Sequence, residues 1–428
     1  MPVSTRLRGR ALRHAGRAVA LTALLLGALS ACGPSHPLSV FTDYTDFNRD
    51  IGYLFKILIV LGTIVFVFVE SLLIWAIIRY RKREGQGTPE HVHGNTTLEI
   101  IWTAIPALIL VFIAVPTVRT IFKTQAKAPA GALEVEVIGH QWWWEFRYPE
   151  YGITTANELY LPIGRTANFK LQTQDVIHSF WIPQLGGKRD LIANHTNYLW
   201  FTPDSVGTNA WVGHCVEYCG ASHANMRFRA YTVTPQDFQS WVAHMQTAAA
   251  NPLQPAAPAA ASAPSTTPAA QAAVLPTPAP APEAPTFTGF PREQLARHLI
   301  PATPIPAGLD FPANLQGDVQ RGGTAFATGR GGCIGCHAIK GVPTAVGIVG
   351  PNLSHFGSRT TLAAGFYPND ARHLALWIKN ARLMKPGVIM PTLGKDQYDP
   401  QLKQNTPAAM ALDDQTIADL VAYLLSLK

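Results

Sequence analysis

Charge is scarce in this chain. Only 14% of its 428 residues are Asp, Glu, Lys or Arg, whereas 47% are hydrophobic, a balance that directs attention to membrane spans. Cysteine is scarcer still, with five residues in all. No heptad or Gly-X-Y period runs through the sequence, which excludes coiled-coil and collagen-like folds. A pI near 9.2 suggests nucleic acid as a partner, but the basicity is concentrated at one end. Five arginines (Arg6, Arg8, Arg10, Arg13, Arg17) fall in residues 1–31, and without them the net charge drops from +7 to +2. No nucleic-acid partner is expected. At roughly 150 residues per domain, the length implies two or three domains.

Those arginines open a leader. The apolar run Ala18–Leu29 is too short to span a bilayer, and Leu29-Ser30-Ala31-Cys32 follows it. Small residues before a cysteine resemble the bacterial lipoprotein cleavage box. The resemblance implies that residues 1–31 are a signal peptide and Cys32 a lipidated N-terminus, a simple secretory signal or a free Cys32 thiol being the alternative; either way the next residues lie outside the cytoplasm. Two longer apolar runs come next, Ile57–Ile78 and Leu98–Val118, each able to cross a membrane. They predict a hairpin within residues 32–125, with spans at about 55–79 and 98–118. Arg79, Arg81, Lys82 and Arg83 assign the intervening loop to the cytoplasm and both ends of the hairpin to the outer face.

The pattern then changes. In residues 126–247, Leu133, Val135 and Val137 alternate with Glu134 and Glu136, the period of a half-buried strand. Further short β-rich runs at Asn168–Gln172, Asn197–Thr202, Asn209–Gly213 and Arg227–Val233 predict a β-sandwich. Residues 248–289 are dominated by Pro and Ala, carry the single charge Glu283 and lack aromatics up to Thr286. Such a segment buries no core and reads as a semi-rigid linker. Residues 290–428 form a second globular domain with few strand signals. Helices are predicted over Asp318–Thr328, Asp370–Leu383 and Asp413–Leu427.

Two constellations of soft ligands stand out. In the first, Cys215, Cys219, His223 and Met226 fall within one loop between strand-like runs. A cysteine pair in an exported chain is usually a disulfide, and Cys-Cys-His with a second imidazole is usually zinc. The thioether of Met226 favours copper, since soft sulfur ligands select it. His178 is the candidate second imidazole. In the second, Cys333-Ile334-Gly335-Cys336-His337 is the c-type haem attachment sequence, with His337 as the proximal ligand. The sixth ligand is to be sought among Met384, Met390, Met410 and the histidines His298, His355 and His373.

The hairpin, then Gly139-His140-Gln141-Trp142-Trp143-Trp144, then Asp175-Val176-Ile177-His178-Ser179, then Cys-x3-Cys-x3-His-x2-Met resemble subunit II of cytochrome c oxidase in order and spacing over about residues 45–240. The resemblance implies a cupredoxin-like sandwich holding a binuclear copper centre, CuA. Cys215 and Cys219 would bridge the coppers, His178 and His223 would be terminal ligands, and Met226 and the Glu217 carbonyl weak axial ones. It further implies a magnesium site at the Glu217 carboxylate, shared with subunit I. Trp142 would receive electrons at the surface above the copper, and Glu99 would begin a proton-uptake route. Glu70, inside the first span, is an intramembrane acid with no assigned partner. Residues 310–428 resemble a class I cytochrome c. By that likeness Met390, in Lys385-Pro386-Gly387-Val388-Ile389-Met390-Pro391, is the second axial ligand, and the Pro351 carbonyl steadies the His337 ring.

Together these imply a multidomain protein with a two-helix transmembrane hairpin, a cupredoxin-like β-sandwich, a Pro/Ala-rich linker and an all-α cytochrome c domain. It would take electrons at its own haem, pass them to CuA and on to subunit I for oxygen reduction coupled to proton translocation. Expected partners are subunits I and III, membrane lipid, and a periplasmic donor such as a cytochrome c or an upstream respiratory complex. The expected location is the bacterial inner membrane, with the folded domains outside. The alternative is a stand-alone membrane-tethered copper and haem electron carrier. The long linker, with net charges of +4 on residues 290–428 and −1 on residues 120–246, implies a loose, salt-sensitive docking equilibrium between the two domains.

Overall fold

The structure, a computed structural model, is described for residues 38–81, 93–207, 210–247 and 303–428, with isolated positions at 22, 27, 85, 87 and 91. The leader, Cys32 and the linker 248–289 lie outside the described residues.

Helix α1 runs Asp46–Arg79 and α2 Thr96–Gln125. Both start on side-chain caps, Thr45 accepting from the Asn48 amide and Asn95 from that of Leu98, which satisfies otherwise orphaned N–H groups. Pro106 and Pro116 sit inside α2 without ending it, as membrane helices tolerate. The most apolar windows of both helices are wholly unburied within this chain, so they are not core helices. Both are longer than the apolar runs predict. At 34 residues, α1 spans roughly 51 Å, well beyond the ~30 Å hydrocarbon layer. The surplus lies at its N-terminal end, where polar contacts extend the helix past the apolar stretch. There the Thr45 hydroxyl donates to the Leu185 carbonyl (2.6 Å) and the Asn48 amide to that of Pro183 (3.1 Å). At the end of α2, Trp200 Nε1 donates to the Ala126 carbonyl (2.8 Å). These bonds fix the sandwich on top of the hairpin.

The sandwich has two five-stranded sheets. One is ordered β3-β2-β1-β5-β8, from β1 (Leu133–His140), β2 (Trp143–Tyr148), β3 (Ile153–Ala156), β5 (Ala167–Thr173) and β8 (Asn197–Phe201). The other is ordered β4-β10-β9-β6-β7, from β4 (Glu158–Pro162), β6 (His178–Trp181), β7 (Arg189–Leu191), β9 (Trp211–Cys215) and β10 (Arg227–Val233). Leu133, Val135 and Val137 are fully buried, as their alternation predicts. Between the sheets Phe180 stacks on Phe228 (centroids 5.0 Å apart), with Trp144 and Phe146 edge-on to Phe228. Each such ring contributes on the order of 2 kcal/mol by burial. Helix α3 (Pro235–Gln246) closes one end, Trp241 stacking on Tyr160 at 4.7 Å.

In the second domain, α4 (Val319–Ala327), α6 (Ala371–Met384) and α7 (Asp414–Ser426) begin on Asp318, Asp370 and Asp413, each accepting a backbone N–H three residues on. A four-residue helix, α5, is Cys333–Cys336. Helices α4 and α7 cross at Gly322, where any side chain would meet the Asp419 carbonyl.

The two domains are docked. Buried Glu158 of β4 accepts from both the backbone N–H and the hydroxyl of Thr360 (2.7 Å each), and the Tyr231 hydroxyl pairs with the same threonine at 2.8 Å. The Arg227 amide donates to the Ala364 carbonyl (3.2 Å), and Ser222 Oγ to that of Pro386 (2.5 Å). This corrects the expected loose equilibrium. Linker length limits reach but says nothing of affinity, and net charge does not register neutral hydrogen bonds. Each of these hydrogen bonds favours the docked state by about 0.5–1.5 kcal/mol net over the separated, hydrated groups.

Candidate metal centre and haem cleft

Three adjacent strands and one loop build the metal centre. His178 opens β6, Cys215 ends β9, and Cys219, His223 and Met226 lie in the loop that returns to β10. The sulfurs of Cys215 and Cys219 stand 3.7 Å apart. This is far beyond a disulfide bond and close to the roughly 3.8 Å between two ligands on one tetrahedral ion with 2.3 Å bonds. His178 Nδ1 lies 3.8 Å from Cys215 Sγ, and His223 Nδ1 lies 3.6 Å from Cys219 Sγ. Met226 Sδ is 3.8 Å from Cys219, and the Glu217 carbonyl 3.3 Å from Cys215. All six expected donors therefore converge, and the ligand atoms of His178, Cys215 and Cys219 lie within 4.8 Å of one another.

The electrostatics suit a cation. Sharing a proton with Cys219, with help from His178, pulls the Cys215 thiol well below its usual range, while the resulting thiolate holds the Cys219 proton on. A metal ion supplies the positive charge that releases both. Sequence reasoning missed Asp175 as a support. Its carboxylate bonds His178 Nε2 (2.7 Å) and the Gln141 amide (2.6 Å). That leaves Nδ1 for the metal, the outer-ligand arrangement that orients metal-bound imidazoles. Burial alone would lower the His178 pKa, yet bonds to Asp175 and Cys215 raise it. Asp175 stands three residues before His178 in the quoted motif, so its spacing was visible but its direction was not.

The second site is a cleft of about 280 Å³, lined by Cys333, Cys336, His337, Pro351, Met390 and Met410 among mostly apolar side chains. Gly329, Gly331 and Gly332 all take left-handed φ of 74–77°, a turn that L side chains resist. It brings the chain to the two thiols. His337 Nδ1 lies 2.8 Å from the Pro351 carbonyl, and a side chain at Gly350 would strike the ring. Burial depresses the His337 pKa, keeping a neutral, ligating imidazole. Met384 is 2% exposed at the end of α6 and does not line the cleft, which leaves Met390 and Met410 as the methionines beside it. The residues present fit a haem with His and Met ligation.

Trp142 lies between the two sites. Its Nε1 donates to the Cys219 carbonyl (2.9 Å), its ring lines the haem cleft, and a side chain on Gly387 would meet that ring at 2.7 Å. Gly387 has φ of 88°, so glycine is required there twice over. Trp142 is 8% exposed. The docked second domain covers the indole, so the residue expected at the copper domain's surface lies in the seam between the domains. Glu217 has an exposed side chain. Glu99 lies in the first turn of α2 and Glu70 within α1, neither near the metal cluster.

Comparison with known proteins agrees with this architecture. Family models match at residues 45–120 (cytochrome c oxidase subunit II, transmembrane domain), 152–233 (its periplasmic domain) and 319–428 (cytochrome c). The cytochrome c oxidase subunit 2 of Alkalihalophilus pseudofirmus is 30% identical over 376 residues, covering 86% of this chain and 85% of that protein. That of Bacillus sp. strain PS3 is 30% identical, covering 82% and 80%. A crystal structure of the periplasmic domain of subunit II of cytochrome oxidase from Bradyrhizobium japonicum is 28% identical, covers 28% of this chain and 96% of that one, and aligns with TM-score 0.27. With two apolar helices, a β-sandwich copper-site domain and a C-terminal cytochrome c domain, this chain belongs to the cytochrome c oxidase subunit II family, a subunit of a haem-copper oxidase.

Proposed function

We propose that this subunit takes electrons from a periplasmic donor at a covalently attached c-type haem and delivers them through Trp142 to CuA and on to subunit I. The contact of Trp142 with both sites carries this reading. When bound, the two groups supply one-electron carriers with little change of geometry. Cys333, Cys336, His337 and Met390 would hold the haem, and His178, Cys215, Cys219, His223, Met226 and the Glu217 carbonyl the coppers. The chain's own part is to keep water out and ligands still. Cys215, Cys219 and Met226 are each at most 6% exposed, and Asp175 and Pro351 orient the two imidazoles. The magnesium site at Glu217, proton uptake at Glu99 in a proton-translocating oxidase, lipidation of Cys32, subunit III as a partner and residence in the bacterial inner membrane belong to the same reading.

Purification from native membranes tests it against a stand-alone carrier. A large haem-bearing subunit is expected to accompany this chain, together with a mixed-valence copper signal. A chain that purifies alone, with both cofactors, would favour the carrier. The sixth haem ligand has its own test. Met390→His is expected to retain the haem, lower its potential and remove the weak far-red absorption of a thioether on ferric iron. Loss of that band in Met410→Ala instead would assign the ligand to Met410.

A further inference from the structure

The lining of the haem cleft holds polar groups that the packing does not explain. Among its described lining residues are two cations, Lys385 and Arg359, and no Asp or Glu. Lys385 is 1% exposed. Its Nζ donates to the Trp142 carbonyl of the sandwich (2.8 Å) and to the Ala363 carbonyl of its own domain (3.0 Å). An ammonium has three N–H donors, so one remains. Burial pushes the pKa of Lys385 down to about 7, with the Cys219 sulfur opposing the fall and Arg227 adding to it, and no carboxylate contributes. Arg359 is 8% exposed and donates to the Asn352 carbonyl. The acid nearest in its electrostatics, Glu158, is committed to Thr360. The hydroxyl of Thr361, also lining the cleft, is buried without a partner. A haem carries its charge on two peripheral carboxylates, and an apolar cleft whose lining also holds two buried cations and an orphaned hydroxyl offers groups to receive them.

We propose that Lys385 is a positioning residue whose third N–H receives a haem carboxylate, so that a single ammonium joins the cofactor, Ala363 and the main chain of Trp142. The inference rests on the haem reading above. Its consequence is that haem loading and domain docking reinforce each other: the group that neutralises the ammonium also secures the residue lying over the copper loop. A cation here favours the reduced haem, because reduction adds negative charge beside it.

Three substitutions in the full oxidase separate charge from clasp. Lys385→Gln keeps a donor for the carbonyls without the charge, Lys385→Met keeps only bulk, and Lys385→Arg keeps the charge. Covalent haem in the unsubstituted protein is checked first by its absorption on denaturing gels, and its absence would refute the haem reading itself. With haem present, spectroelectrochemical titration is expected to show the reduction constant falling about tenfold in the Gln and Met variants, 59 mV for a one-electron couple, and restored to within about twofold by Arg. A Gln variant within about twofold of the unsubstituted protein would make Lys385 a clasp between domains only, and overturn the proposal. Should the Gln and Met variants fail to assemble, redox-difference infrared spectra of the unsubstituted protein and the Arg variant answer the same question. A carboxylate band identified by ¹³C-carboxylate haem is expected to move in Lys385→Arg, and a band left unmoved by that substitution overturns the proposal.

Discussion

Cys219→Ser is expected to abolish the mixed-valence copper signal and lower oxidase turnover by more than about 100-fold, while haem absorption stays intact. Cys219 is the hub of its cluster, with Cys215, His223 and Met226 all within 3.6–3.8 Å of its sulfur. A hydroxyl is a hard, protonated donor that cannot bridge soft metal ions as a thiolate does. Loss of an outer-sphere partner alone costs 10–100-fold, so loss of a bridging ligand costs more. The haem should be spared because its attachment residues belong to a domain with its own hydrophobic core, and the contact from Trp142 goes to the backbone carbonyl of Cys219, which serine retains. Electron paramagnetic resonance, turnover and haem absorbance on one preparation decide the matter. A surviving copper signal would remove Cys219 from the ligand set.

Trp142→Gln is expected to slow haem-to-copper electron transfer at least tenfold with both cofactor spectra unchanged. The indole both lines the haem cleft and bonds the copper-ligand loop, reaching the Cys219 carbonyl at 2.9 Å, and among the described residues it is the aromatic side chain that does so; the neighbouring Gln141 amide reaches the same carbonyl at 2.7 Å but offers no aromatic ring. Glutamine can keep a hydrogen bond to that carbonyl but leaves a void against Gly387, whose backbone packs against the indole ring. Flash-photolysis kinetics measure the effect. An unchanged rate would route the electron elsewhere in the seam, with the main chain held by Lys385 the next candidate.

Much of this was legible in residue order. Strand β1 was visible in the alternation of Leu133, Val135 and Val137, and the terminal helix in its capping Asp413, because both signals are local. The metal donors were legible because four of them lie in one loop, and the haem site because its two thiols and His337 are contiguous. The geometry between domains was not legible. Nothing near Glu158 in the sequence points to Thr360, about 200 residues away, and a lysine beside a Met-Pro loop looks solvated until the second domain covers it. The burial of Trp142 follows from that same contact. Asp175 was within view, but only folding reveals that its carboxylate turns toward the imidazole.

The account turns on the docked seam, and the rate of haem-to-copper electron transfer as a function of ionic strength and protein concentration tests it most directly. Buried hydrogen bonds such as Glu158 to Thr360 and Lys385 to Trp142 are poorly screened by salt, whereas an exposed charge encounter is strongly screened. The expected result in the purified oxidase is a first-order rate independent of protein concentration and changed less than about twofold between low salt and 0.5 M salt. A rate that falls steeply with salt, or rises with protein concentration, would contradict a fixed intramolecular contact and restore the loose encounter that the linker alone suggests.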